Sequence, residues 1–245
     1  MPTGLSPEDT ERFRPALARS VIYFPLVGGM VASVTAIAIT GLLQILSGEL
    51  AVVLAIAFEA MLTGALHEDA LADTCDALGG GWTRERVLEI LKDSRLGTYG
   101  TLGLGLGLAC RFFSLVALAD DQWRWLGAAS LIAAGALGRW GMLWFMQTVK
   151  PIEDRKTMAS DVAGSNSRFV LLVSALIGSP AVCPWLWLDP IGGAIAIGLS
   201  AIVLAIFRWK ALQRVGGSTG DFIGCSGYLV QLTVLVVAAA RVRAL

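Results

Sequence analysis

Seven stretches of this chain, each 17 to 28 residues long and nearly uncharged, dominate what it can fold into: 20–47, 50–66, 99–118, 125–149, 169–188, 191–207 and 222–240. A hydrocarbon layer about 30 Å thick takes about 20 apolar residues of helix to cross, and lipid offers no partner to an unpaired backbone group. The stretches are too long and too continuously apolar for barrel strands. With 56% hydrophobic residues and a mean hydropathy of +0.69, an ordinary water-soluble domain is excluded. The sequence predicts an all-α polytopic membrane helix bundle, about seven transmembrane helices in one integral-membrane domain over residues 1–245. Pro180 and Pro184 predict a kink or early end in the span 169–188.

The formal net charge is zero, so the total says nothing about partners, but its distribution orients the chain. Of 19 lysines and arginines, 14 fall before the first span or in the loops 67–98, 150–168 and 208–221, which alternate along the predicted topology. Three fall on the other side, and Arg111 and Arg139 lie inside spans. The positive-inside rule predicts a cytoplasmic N-terminus, cytoplasmic basic loops and an outer C-terminus, in the cytoplasmic (inner) membrane. The first 19 or so residues are polar and lack the apolar core of a cleaved signal, so the first span is expected to be retained. Cys75, Cys110, Cys183 and Cys225 form no C-x-x-C pair and read as packing residues.

Against this background, LHEDALADTCDALGGG at 66–81 gathers Glu68, Asp69, Asp73 and Asp76 within nine positions. If the helix of 50–66 runs on past the membrane surface, Asp69, Asp73 and Asp76 stand at i, i+4 and i+7, within about 60° of one another. Carboxylates so close repel one another, and a divalent cation among them relieves the repulsion. Oxygen ligands with no Cys or His cluster favour Mg²⁺, with Mn²⁺ as the second choice, and Mg²⁺ leaves coordination positions for water and substrate phosphate. The competing reading is a solvated amphipathic stub on a membrane helix.

Downstream, GGGWTRERVLEILKDSRLGTYG supplies a glycine turn and an amphipathic run predicted to lie along the membrane surface. Arg84 and Arg86 fit either lipid anchoring or phosphate contact. Lys92 and Arg95, which flank Asp93 and Ser94, read as the cationic side of a phosphate site. In RVGGSTGDFIG at 214–224, Gly217 and Thr219 belong to a turn whose backbone N–H groups suit phosphate, with Asp221 just beyond. His67, the only histidine, reads from its position as a hydrogen-bonded structural residue. Glu59, Arg111 and Arg139 are costly inside spans unless paired or facing a cavity. Gly103 and Gly107 form a G-x-x-x-G that predicts close helix packing.

These motifs together resemble the cobalamin synthases, or adenosylcobinamide-GDP ribazoletransferases. Leu66, His67, Asp69, Leu71, Ala72, Asp73, Asp76 and Leu78 match that family's L-H-x-D-G-L-A-D-x-x-D-G-L. Lys92, Asp93, Ser94, Arg95, Gly97, Tyr99 and Gly100 match its K-D-S-R-x-G-x-Y/F-G, and Gly216, Gly217, Thr219, Gly220, Asp221 and Gly224 match its G-G-x-T-G-D-x-x-G. ARSVIYFPLVGG is similar to the family's entry into its first helix. Ala70 and Ala77 replace family glycines while every carboxylate remains, and 139–168 matches only loosely.

The resemblance implies a Mg²⁺-dependent membrane transferase of late cobalamin (vitamin B12) biosynthesis. It would join adenosylcobinamide-GDP to α-ribazole or its 5′-phosphate by attack of a ribose 5′-hydroxyl, giving adenosylcobalamin or its 5′-phosphate and releasing GMP. Asp69, Asp73 and Asp76 would hold metal. Asp73, Asp93 and Asp221 are the candidate proton acceptors. His67, Lys92, Ser94, Arg95, Gly217 and Thr219 would bind substrate or phosphate. The expected partners are those two substrates and the bilayer, with homo-oligomerisation open and no nucleic acid. CDP-alcohol phosphotransferases share the layout, but Ala70 follows Asp69 and no arginine follows Ala72, so their D-G-x-x-A-R run is missing. A transporter with a cytoplasmic cation site is the non-enzyme alternative, although transporters hold their polar sites near mid-membrane.

Overall fold

The computed structural model describes residues 20–120, 124–152 and 167–243. Nine helices occur among them: α1 (Phe24–Leu42, entered through a 3₁₀ turn at Val21–Tyr23), α2 (Gly48–Thr63), α3 (Leu66–Gly80), α4 (Arg84–Ile90), α5 (Thr98–Leu118), α6 (Arg124–Thr148), α7 (Ser167–Leu188), α8 (Pro190–Arg214) and α9 (Gly220–Val242). The polar N-terminal segment, with Arg12, Arg14 and Arg19, lies outside the described residues, as do Arg155 and Lys156.

Six helices are long and apolar enough to cross a membrane alone, and α2 with α3 forms a bent pair whose axes meet at 89°. The pair fits one crossing. Its 31 residues make about 46 Å of helix, and two halves each inclined by about 45° advance about 33 Å, close to the hydrocarbon thickness. Counted as one broken span, the pair brings the six apolar helices to the expected seven crossings. The expectation of a continuous helix from 50 into the acidic segment is corrected. The break falls at Gly64 (φ 66°) and Ala65 (φ 53°), successive left-handed residues that a straight α-helix cannot hold.

Helices α6 and α9 are the most buried spans and form the centre. Helix α6 packs against α1, α7 and α9, and α9 also packs against α3, α5 and α8. Contact with α1 is backbone-close: a Cβ added to Gly28 or Gly135 would strike the carbonyl oxygen of the other. The G-x-x-x-G of α5 packs as predicted, with Gly103 against Cys75 and Gly107 against Leu71 and Tyr228. Helix α7 runs through Pro180 and Pro184 to Leu188, so the expected early end is corrected. Pro180 cannot donate to the Leu176 carbonyl, and the Ser179 hydroxyl donates to it instead at 2.8 Å.

The basic loops meet at one end of the bundle. Ser218 donates its N–H to the Lys150 carbonyl (2.8 Å), Arg84 Nε donates to the Val215 carbonyl (3.1 Å), and Arg214 Nη1 donates to the Gly81 carbonyl (3.0 Å). At the opposite end Asp189 caps α8 and pairs with Arg241 of α9 at 3.1 Å. Three loops separated in sequence are therefore neighbours, as the alternating charge pattern requires.

Candidate active site

Helix α3 packs along α5 and crosses the start of α9, so its acids are set into the bundle rather than carried on a solvated stub. Asp69 is exposed, Asp73 is half-buried one turn on, and Asp76 is buried. Asp73 feels the charges of Asp69, Asp76 and Asp221. Asp221 reaches this face because Thr219 caps α9, its hydroxyl accepting from the Phe222 N–H at 3.2 Å. Ala70, where the family pattern has glycine, lies against Gly224 of α9, so the small side chain is accommodated at the helix crossing.

Asp76 has a distinct position. Its two carboxylate oxygens accept the backbone N–H groups of Gly97 and Gly100, both at 2.7 Å, so it caps the start of α5 from another helix. This binds the K-D-S-R segment to α3. A Cβ at either glycine would collide with that carboxylate. The sequence motif therefore couples an acid on one helix to two glycines on the next, which the spacing alone did not reveal.

Lys92, Ser94 and Arg95 are exposed on the loop before α5. Arg95 Nη2 donates to Asp93 Oδ2 at 2.7 Å, and Asp93 Oδ1 also accepts the Arg95 N–H at 3.1 Å. These hydrogen bonds and the guanidinium charge push Asp93 down to about 2 and raise Arg95 above its ordinary value. A carboxylate at about 2 is a weak proton acceptor near neutral pH. Arg95 has no direct contact with the α3 carboxylates here. Gly217 is buried against Lys150 and Ile152, and Gly216 takes the left-handed turn (φ 77°) that starts the loop toward Asp221. Thr219 is occupied as a helix cap.

His67 lies on the other side of α3, and its buried Nε2 has no hydrogen-bond partner. Its charged neighbours are Arg139, Glu59 and Arg111, so the structure separates it from the acidic face. Arg111, fully buried in α5, is paired to both halves of the broken span: Nη2 lies 2.6 Å from Glu59 of α2 and Nη1 lies 3.0 Å from Glu68 of α3. Thr35 of α1 donates to Glu59 at 2.6 Å, and Arg139 of α6 acts on both glutamates. Two arginines thus face two glutamates around the bend. The cost of Glu59, Arg111 and Arg139 inside spans signalled such pairing, but Glu68 was read only with the surface acids.

Among the described residues, no three Asp, Glu, His or Cys side chains converge to enclose a metal unaided. Mg²⁺ needs only one or two protein carboxylates, the rest of its shell being water and phosphate. The open, hard-oxygen pair Asp69 and Asp73, one turn apart beside Asp221, fits that requirement. Asp76 fits it less well, both of its oxygens being committed to backbone donors.

Fold and site together define a polytopic α-helical membrane protein with a carboxylate-lined site at one end of the bundle. Residues 2–239 match the family model described as cobalamin-5-phosphate synthase. An adenosylcobinamide-GDP ribazoletransferase of Bradyrhizobium diazoefficiens is 38% identical over 229 residues, covering 92% of this chain and 84% of that protein. Proteins of the same name from Sinorhizobium medicae (36% over 232 residues, 89% of this chain and 84% of that one) and Leptospira interrogans (34% over 224 residues, 90% and 83%) are also similar. No solved structure matches the chain. The chain belongs to the cobalamin-5-phosphate synthase family, and is accordingly a transferase of cobalamin biosynthesis.

Proposed function

We propose that this chain transfers the adenosylcobinamide-phosphate group of adenosylcobinamide-GDP to α-ribazole 5′-phosphate or α-ribazole, releasing GMP, with Mg²⁺ bound and with the α4 end of the bundle facing the cytoplasm. One observation carries the site assignment: Asp69 and Asp73 stand one turn apart on one face of α3, and the first turn of α9 brings Asp221 to them as a third carboxylate. The names of the family and its relatives support the substrate pair.

The attacking oxygen differs from the one first expected. A product that keeps a 5′-phosphate, as in the family's name, leaves the acceptor's 5′ oxygen occupied. The nucleophile is therefore a ring hydroxyl of the ribose. That oxygen attacks the cobinamide-side phosphorus, the bond from this phosphorus to the bridging oxygen breaks, and GMP departs. Asp73 or Asp221 takes the hydroxyl proton, both being nearer the acidic face than the Arg95-bound Asp93. Asp69 and Asp73 would hold the metal, which supplies charge neutralisation to the diphosphate and the leaving group. Asp76 fixes the start of α5, which keeps Lys92, Ser94 and Arg95 near the site for contacts with phosphate oxygens.

The test is GMP release by purified protein supplied with donor, acceptor and Mg²⁺. Asp73→Asn is expected to lower kcat by about a hundredfold or more while leaving folding intact. Near-wild-type turnover by that variant at limiting Mg²⁺ would remove Asp73 from the chemistry.

A further inference from the structure

An open cavity of about 590 Å³ at the same end of the bundle lies between α4, the segment after α6 and the α8–α9 turn. Arg84, Lys150 and Arg214 line it together with Ile152, Val215 and Gly216, and among the described residues no carboxylate lines it. Three cations around one hollow repel one another and attract an anion. The two arginines are held by backbone oxygens instead of acids: Arg84 Nε donates to Val215 O at 3.1 Å, and Arg214 Nη1 donates to Gly81 O at 3.0 Å. Trp82 further fixes Arg214, whose guanidinium lies 5.1 Å from the indole centroid. Each guanidinium has five N–H donors, so most remain for a ligand. Lys150 is exposed and has no acidic partner among the described residues.

We infer that this cavity holds the terminal phosphate of the acceptor, selecting a ribosyl 5′-phosphate over the unphosphorylated ribosyl compound. The inference rests on the transfer reaction proposed above. A terminal phosphate monoester carries close to two negative charges at neutral pH and three accepting oxygens, which suits three converging cations. Its ring hydroxyl must reach the acidic face from there. Gly216 in the cavity wall is five residues before Asp221, at most about 18 Å of chain, so the α8–α9 turn leads from the cavity to the acidic face. The diphosphate of the donor belongs at the metal-binding carboxylates, which leaves the acceptor phosphate as the anion still needing a site. A phospholipid headgroup offers the same phosphate chemistry at a membrane surface, and the experiment separates the two sources.

Full-length protein in phosphatidylcholine nanodiscs is assayed with α-ribazole 5′-phosphate and with α-ribazole, as wild type, Lys150→Ala and Lys150→Arg. The expected result for Lys150→Ala is a KM for the phosphorylated acceptor raised about tenfold or more. The KM for α-ribazole and for the donor should stay unchanged, and Lys150→Arg should restore most of the loss. Calorimetric binding of the two acceptors to the same proteins should show the same selective loss. Equal loss with both acceptors, a raised donor KM, or unchanged kinetics with both overturns the inference. So does a defect that follows added phosphatidylglycerol, which assigns the cavity to a lipid headgroup. Absence of GMP release from wild type with either acceptor overturns the reaction instead, and the binding arm still decides whether the cavity recognises the phosphate.

Discussion

Asp76 shows how far a single residue can depart from its motif. By spacing it belongs with Asp69 and Asp73, yet its oxygens take the Gly97 and Gly100 N–H groups at the start of α5. Asp76→Asn keeps one acceptor oxygen and replaces the other with an amide that cannot accept, leaving a helix-end N–H unpaired. The expected cost is about 1–3 kcal/mol, read as a lower thermal unfolding midpoint in detergent with no Mg²⁺ present. A variant of unchanged stability whose only defect is a higher Mg²⁺ requirement would return Asp76 to the metal site. The carboxylates that share the exposed acidic face, Asp69 and Asp73, were legible in sequence because i and i+4 face one way in any helix. The side on which Asp76 finds its partners was not, because those donors arrive from a helix 21 to 24 residues further on.

At the scale of elements, the bend between α2 and α3 decides where the acids stand. Ala65 is the only non-glycine residue with positive φ among those described, and an L-residue there costs about 1–2 kcal/mol that glycine avoids. Ala65→Gly is expected to raise the unfolding midpoint without loss of activity, and a lower midpoint would show that the alanine methyl packs rather than strains. Arg111 holds the two halves together through Glu59 and Glu68. Arg111→Met leaves two buried carboxylates with one fewer counter-charge, so a loss of about 3–5 kcal/mol is expected, seen as a lower yield of folded protein and earlier thermal unfolding. Equal stability of Arg111→Met and wild type would mean that Arg139 alone balances the glutamates. Gly64 gave a local hint of the break. The second left-handed residue gave none, since alanine in isolation favours helix.

For the whole molecule, the charge asymmetry and the packed loops make one prediction about topology. Single cysteines at Trp82 and Gly216, both exposed, in a background without the four native cysteines, should be shielded from an impermeant thiol reagent added outside intact cells. Cysteines at Glu49 and Asp120, exposed at the opposite end, should label. The reverse pattern would place the acidic face away from the cytoplasm. The sequence by itself determined the helical class, the stretches apolar and long enough to cross a membrane, the alternation of basic loops and the acids as a cluster on one helix face, because apolar length, net charge per loop and the 3.6-residue period are local properties of a chain in lipid. Only the tertiary structure decided that the acidic helix turns off α2 at an 89° bend and that Arg111 clasps both halves. It also decided that Asp76 serves α5 and that Arg84, Lys150 and Arg214 surround one cavity. Each of these depends on which distant groups meet across helix interfaces, and residues 21 to 131 positions apart meet there through packing that no local period encodes.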